Sequence, residues 1–168
     1  MNEGNYVEWL VKQKEPAYSF LVKVLMLFFS MLSAVLAVGG LFGVFGFVVA
    51  ALVVGGTYYV FLNLSVEYEY LFADGSLSVD RVLGKSRRKG VLECEKEEVV
   101  ITAPVDSHSL REYETSGMKV VNCSSRQPGA RTYALIFQKG SETTKLIFEP
   151  NEKMLEAMKR SFPRKVLM

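Results

Sequence analysis

The sequence has little of what catalysis or metal binding requires. Its 168 residues include two Cys and one His, and these three lie far apart in the chain, at Cys94, Cys123 and His108. Two Cys exclude a disulfide-dense secreted scaffold and a four-Cys zinc site. No phosphate loop, dinucleotide fingerprint or nucleophile elbow is present. We therefore expect a protein that is not an enzyme and holds no cofactor or metal, and the sequence identifies no small-molecule substrate.

An excess of charge of one sign is also missing. Lys and Arg number 20 against 18 Asp and Glu, a net charge of +2, which excludes a strongly basic nucleic-acid-coating protein and an acidic disordered tail. The charges are unevenly spread, because 43 consecutive positions from Val24 to Val66 contain none. The residues after Val66 hold 17 basic and 15 acidic side chains, a content typical of a water-soluble domain.

The uncharged run predicts two membrane spans. A helix of 43 residues would extend roughly 65 Å, about twice the hydrocarbon thickness of a bilayer. We place a transmembrane hairpin at residues 18–64, with spans at 18–38 and 44–64 and a glycine-rich reversal at 39–43. Small residues at four-residue spacing favour close packing of the spans, although glycine and alanine are also common in spans generally. These pairs are Ser30/Ala34, Ser33/Ala37, Gly46/Ala50 and Ala51/Gly55.

Two other interpretations of the apolar run fail. A cleaved signal peptide would use the weak small-residue site at residues 35–37, but the apolar run continues well past it. A buried helical hairpin of a soluble protein would need a larger covering surface than the rest of this chain supplies.

The basic residues beside the spans predict the orientation. Lys12 and Lys14 precede the first span, Lys23 lies within its first turns, five basic residues at 81–89 follow the second span, and none lies between the spans. By the positive-inside rule both termini are cytoplasmic, in the plasma membrane if the host is a bacterium. We expect Lys23 to reach the headgroups along its own aliphatic stem.

Residues 1–17 are predicted to form an interfacial segment. Residues 5–15 have a short helical pattern ended by Pro16, with Tyr6, Val7, Leu10 and Val11 on one face. Such a helix suits the membrane surface. The alternative is an N-terminus without fixed structure.

Residues 65–168 change to an apolar period of two, which predicts strands. In the first strand, Glu67 and Glu69 alternate with apolar residues and are expected on a solvated face. Asp74-Gly75 is a strong hairpin signal. A helical turn is expected at 109–114, and a helix at 151–162 with Leu155, Met158 and Phe162 on its apolar stripe. The predicted strands are 66–72, 76–80, 91–95, 99–103, 118–124, 132–138 and 143–148.

Seven strands and a terminal helix resemble the pleckstrin-homology (PH) superfold. The stretch 68–89 carries most of the likeness. The layout resembles small bacterial membrane proteins with a PH-like cytoplasmic domain, and it is similar to a clostridial-type family of uncharacterised two-span proteins. The resemblance implies an α+β membrane protein, with a two-helix transmembrane hairpin followed by a mostly-β PH-like barrel with a C-terminal helix.

One departure from that superfold bears on ligands. PH domains that hold phosphoinositides carry spaced Lys and Arg in the loop between their first two strands. The corresponding loop here, residues 73–76, has an acid, Asp74, and no base. The resemblance therefore implies no headgroup specificity.

A basic loop between Gly84 and Gly90 is the most suggestive surface feature, and it consists of Lys85, Arg87, Arg88 and Lys89. Near an anionic leaflet each such residue gains on the order of 1 kcal/mol, so the loop would hold the domain against the membrane. Equally, it is a solvated loop that sets topology. The C-terminal basic residues admit the same two interpretations; these are Lys159, Arg160, Arg164 and Lys165.

The function expected from these features is a membrane-tethered, non-catalytic interaction module at the cytoplasmic face. It binds a partner protein or assembles a membrane complex, including a homo-oligomer. The alternative is peripheral recognition of anionic lipid headgroups by the basic loop. Nucleic-acid binding is not expected, because neither a basic excess nor a stacking-aromatic motif is present.

Overall fold

The computed structural model describes residues 6–40, 43–85, 87–114 and 117–168. The chain forms two compact units. One is helical and consists of Glu15–Val66 with Leu83–Ser86. The other is mostly β and consists of Met1–Lys14, Glu67–Val82 and Arg87–Met168.

The helical unit contains two long helices, α1 at Ser19–Val38 and α2 at Gly43–Leu64. The prediction of two helices is confirmed, with each start displaced by one residue. Gly40 and Gly43 have positive φ, +70° and +54°, which glycine adopts without the steric cost of a side chain. Leu41 and Phe42 of the predicted reversal lie outside the described residues.

The two helices are apolar and leave most of their surface exposed. Their mean hydropathies are 2.4 and 2.0, and by length and composition each is able to cross a membrane. Small residues are buried on both helices, among them Ala37 and Gly46. The Thr57 hydroxyl donates to Val53 O on its own helix, at 2.8 Å, and reaches Met26 O on α1 at 3.4 Å.

The first sheet of the β unit has the order β1-β2-β3-β4. Its strands are β1 at Tyr6–Lys12, β2 at Val66–Ala73, β3 at Ser76–Leu83 and β4 at Arg87–Cys94. Strands β1 and β2 are antiparallel, from the pair Tyr6↔Ala73 to the pair Lys12↔Glu67. The hairpin at Asp74-Gly75 is confirmed, since both residues have the positive φ of a primed two-residue turn.

The helix predicted over residues 5–15 is wrong, because Tyr6–Lys12 is a strand. Its apolar residues fit a helical period and a strand period almost equally over so short a stretch. Hydrogen bonding to β2 along seven residues decides between them, and it buries Val11. The solvated face expected for Glu67 and Glu69 is also wrong, since both are buried.

The second sheet has the order β5-β7-β8-β6. Its strands are β5 at Val99–Pro104, β6 at Lys119–Asn122, β7 at Tyr133–Lys139 and β8 at Glu142–Phe148. The predicted strands are confirmed, with shifted ends. A 3₁₀ turn at His108–Leu110 lies where a helical turn was expected. The C-terminal tail covers the β5 edge, because Thr102 N–H donates to Lys165 O and Leu167 N–H to Thr102 O.

The last element is α3 at Glu152–Ser161. The Asn151 side chain caps it by accepting from Met154 N–H at 2.8 Å. The predicted stripe of Leu155, Met158 and Phe162 is buried, and the ring of Phe162 meets Phe72 edge-on with centroids 6.0 Å apart. In the described parts of the chain, seven strands and a helix follow Ser65, as predicted, and β1 adds an eighth strand.

Candidate functional site

The structure divides the predicted basic loop. Lys85 lies in the helical unit, in a turn where its φ is +60°. Arg87, Arg88 and Lys89 are not in a loop, since they form the first residues of β4 in the β unit. Their side chains are exposed, as is that of Lys85. The residue between, Ser86, lies outside the described residues.

One of the four basic residues has a structural partner. The Arg88 guanidinium donates to the Glu69 carboxylate at 2.9 Å. The Glu69 side chain is only 8% exposed, whereas that of Arg88 is 66% exposed. Lys85, Arg87 and Lys89 form no ion pair with any residue that the structure describes, so their charges remain open to solvent or to a ligand.

The position of β4 offers a structural explanation for these charges. β4 ends the first sheet, so one side of its backbone lacks a neighbouring strand among the described residues. Exposed sheet edges invite pairing with other chains, and Lys or Arg on an edge strand counteracts it. Protection of this edge from such pairing would account for basic residues at the start of β4 without a ligand.

Glu69 lies in a cluster of carboxylates. Burial raises its pKa most, a hydrogen bond shared with Glu8 of β1 raises it further, and Asp80 of β3 contributes repulsion. The guanidinium of Arg88 acts in the opposite direction. A proton on Glu69 is thus held more tightly in the folded chain than in the unfolded chain.

This cluster predicts a pH dependence of stability. The folded state binds the Glu69 proton more tightly than the unfolded state does. The contribution of Glu69 to the free energy of unfolding therefore falls as pH rises from the ordinary glutamate pKa through the raised one. We expect Glu69→Gln to remove that fall. The measurement is the urea-unfolding free energy of parent and variant from about pH 4 to about pH 8. Glu93→Gln, at an exposed position, is the control and should reproduce the parent profile. A parent-minus-variant difference that rises with pH would contradict the assignment.

The two Cys side chains and His108 lie in different surroundings. Cys94 and Cys123 are buried, and burial raises their thiol pKa values to about 12 and about 11. Both thiols are therefore protonated at neutral pH. His108 is exposed in the 3₁₀ turn. Across the described ranges no three His, Cys, Asp or Glu residues come close enough to hold a metal ion.

A buried polar network fixes the loop that follows β6. The Tyr70 hydroxyl donates to Cys123 O at 2.7 Å, and burial raises the pKa of this phenol. One oxygen of the Glu149 carboxylate accepts from both N–H and Oγ of Ser125, each at 2.7 Å. These bonds tie the loop to β2 and to the end of β8.

Beside this loop lies an open groove of about 340 Å³. One wall is β1, where Trp9 and Leu10 are 41% and 46% exposed. The loop with Arg131, and the junction of β8 with α3, form the other walls. This surface was not predicted from the sequence, because residues 5–15 were assigned to a helix. Alternation of Tyr6, Glu8, Leu10 and Lys12 with Val7, Trp9 and Val11 was the available signal.

A family model described as bacterial PH-like domain (DUF6106) matches residues 3–168. This match covers the β unit and the two apolar helices alike. No curated protein and no solved structure matches the chain.

Proposed function

This chain belongs to the bacterial PH-like domain family, and we propose that it is a membrane-tethered interaction module without catalytic activity. In this proposal α1 and α2 cross the plasma membrane as a hairpin, both termini are cytoplasmic, and the β unit binds a partner protein or assembles a membrane complex.

The observation that carries the proposal is the place of the helices in the chain. They lie between β1 and β2, which are antiparallel neighbours in one sheet, with Lys12 directly opposite Glu67. A segment whose two ends meet in one sheet must return to the side from which it entered a membrane. Two helices of spanning length supply the even number of crossings that this requires.

Exposed apolar side chains support the membrane location. Phe20 and Phe45 are 75% and 81% exposed, and many aliphatic residues between them are also open. A patch of this size on a monomer marks a surface that another apolar phase covers. Lys23, the basic residue inside α1, forms an ion pair with Glu15 at 2.6 Å, near the helix start.

The chemistry of the β unit supports a non-catalytic role. Buried, protonated thiols are poor nucleophiles, and His108 is exposed on a 3₁₀ turn. The remaining polar network, at Tyr70 and Glu149, uses its hydrogen bonds to hold a loop.

Arginine substitutions test the tether. Phe29 and Val54 are exposed near the middles of α1 and α2, so Phe29→Arg and Val54→Arg place a charge in lipid without removing a buried contact. Each substitution should cost about 3 kcal/mol of insertion free energy. The single variants, or the double variant, should then be released from salt-washed membranes. Val120→Arg, at an exposed position of β6, is the matched control. Equal membrane retention of all variants would contradict the tether.

Chemical crosslinking in intact cells, followed by purification of the full chain in detergent, tests the interaction role. We expect one recurrent protein partner or a discrete homo-oligomer. Failure to recover either in repeated experiments would remove the interaction module. Protease protection in sealed vesicles of each orientation tests the cytoplasmic location of the β unit.

Recognition of anionic lipid is a second candidate, favoured by the open charges of Lys85, Arg87 and Lys89. Its test uses the linked domain, in which Asn-Gly replaces residues 14–65. If these three residues bind lipid, alanine at all three positions should weaken binding to anionic vesicles by about two orders of magnitude. Alanine at Arg111, Lys139 and Lys153, which are exposed and belong to neither basic cluster, is the control. Binding that ignores lipid charge and salt would exclude this candidate.

A further inference from the structure

One side of strand β1 has no neighbouring strand among the described residues, and α3 also lies close to the strand. The other side of β1 pairs with β2 along all seven residues. Among the described residues, the neighbouring backbone hydrogen bond on the open side lies beyond the end of the strand, from Lys14 N–H to Ser125 O at 2.7 Å. The groove of about 340 Å³ leaves space beside residues 9–12. An open, partly apolar edge of this kind is a template for another strand.

The charges of β1 are complementary to those of a second β1. In an antiparallel pair centred on Leu10, the Glu8 of each copy lies opposite Lys12 of the other copy, and Trp9 lies opposite Val11. Opposite residues in such pairs have Cβ atoms about 5 Å apart, so both charge pairs are within reach. Centring the pair on Trp9 instead places Glu8 opposite Leu10 and makes no ion pair. The charges thus select one register.

The charges already present around Glu8 favour the same partner. Glu8 shares a hydrogen bond with Glu69, whose carboxylate is also the partner of Arg88. Lys12 forms no ion pair in the described ranges of the chain. A second copy would bring a cation to Glu8 and an anion to Lys12.

We propose that two copies of this chain pair through antiparallel β1 strands with Leu10 on the two-fold axis, joining two four-stranded sheets into one of eight strands. The pairing identifies the surface through which the interaction module binds its partner. It rests on the proposed function in one respect, which is confinement to the membrane. An edge of about five residues buries little area, and confinement of both copies to one membrane supplies the effective concentration that a small interface needs.

Cysteine crosslinking of the full chain in isolated membranes tests the register. Opposite Cα atoms in an antiparallel pair are about 4.5–5.5 Å apart, within the range of a disulfide. With copper-phenanthroline as oxidant, Leu10→Cys should give a disulfide dimer in at least about ten-fold greater yield than Trp9→Cys, whose partner position is Val11. The native thiols are buried and should contribute none. Equal yields from the two variants, or no dimer from Leu10→Cys, would overturn the proposal.

Charge exchange provides an independent test in the Leu10→Cys background. Glu8→Lys and Lys12→Glu should each lower the dimer yield, because each places like charges opposite one another twice. Mixing the two variants should restore the yield as a heterodimer, and the double variant Glu8→Lys/Lys12→Glu should restore the homodimer. Recovery in the mixture also demonstrates that both variants fold. Yields that do not depend on these charges would overturn the register.

The outcomes separate this proposal from the tether. Crosslinking through position 10 in a chain that fractionates as a soluble protein would support the strand pairing and contradict the tether. A membrane-bound chain with no position-10 dimer would support the tether and overturn the pairing.

Discussion

Residues 65–168 alone should fail to fold, whereas the linked domain, residues 6–13 joined to 66–168 by Asn-Gly, should fold in water without detergent. The difference is β1. Its pairing with β2 covers seven residues and buries Val11. At about 1 kcal/mol for each net hydrogen bond, its loss is comparable to the whole stability of a small domain.

The design of the linked domain follows from the register. Lys12 lies opposite Glu67, so in the linked domain Gln13 and Val66 would extend the ladder by one pair. A two-residue Asn-Gly turn then closes the hairpin, since its positive φ angles match the twist of the two strands. The two apolar helices are thereby replaced without changing the pairing of β1 with β2.

Cooperative urea unfolding and dispersed amide resonances are the measurements. Val11→Asp in the linked domain is the matched control, because it keeps the turn and the strand length but places a charge at a buried position. It should lose most of the stability gained. A stable, monomeric fragment 65–168 with the same unfolding midpoint as the linked domain would show that β1 is dispensable.

Elements defined by nearby residues were predictable from the sequence. The two helices follow from a run without charges, the first hairpin from Asp74-Gly75, and α3 from its apolar stripe. In each, the interactions that decide the structure join residues a few positions apart. A single sequence contains them.

Features that depend on distant residues were not predictable in the same way. The partner of β1 lies beyond both helices, so no local pattern reveals the pairing that overrides its helical period. The buried Glu69 is explained only by Glu8 and Arg88, which reach it from β1 and β4. The groove beside β1 depends on the same long-range pairing, which no local pattern contains.

Strand β4 was predicted only in part. Its strand was expected to begin at Val91, because Arg87, Arg88 and Lys89 between two glycines are typical of a loop. An edge strand tolerates such residues, since one side of it faces solvent. The basic side chains were correctly expected to be exposed, but their local structure was set by β3.

Phe148→Ala should cost the full chain about 3–5 kcal/mol of unfolding free energy, the range found when a large buried ring is removed. Phe148 is 0% exposed, and its ring meets Tyr70 edge-on with centroids 5.7 Å apart. The cavity would lie where the end of β8 meets β2, directly before α3. The measurement is a urea titration in detergent, in which the fluorescence of Trp9, the single tryptophan, reports unfolding.

Two controls separate the cavity from other causes. Val120→Ala, at a position 57% exposed, should change the unfolding free energy by less than about 0.5 kcal/mol. Tyr70→Phe keeps the ring contact and removes the hydroxyl that donates to Cys123 O, so it should cost about 1 kcal/mol. If Phe148→Ala proved no more costly than Tyr70→Phe, the rings would not form the packed centre between β2 and β8. Because Trp9 lies on β1, a shared transition would also indicate that β1 unfolds together with this centre.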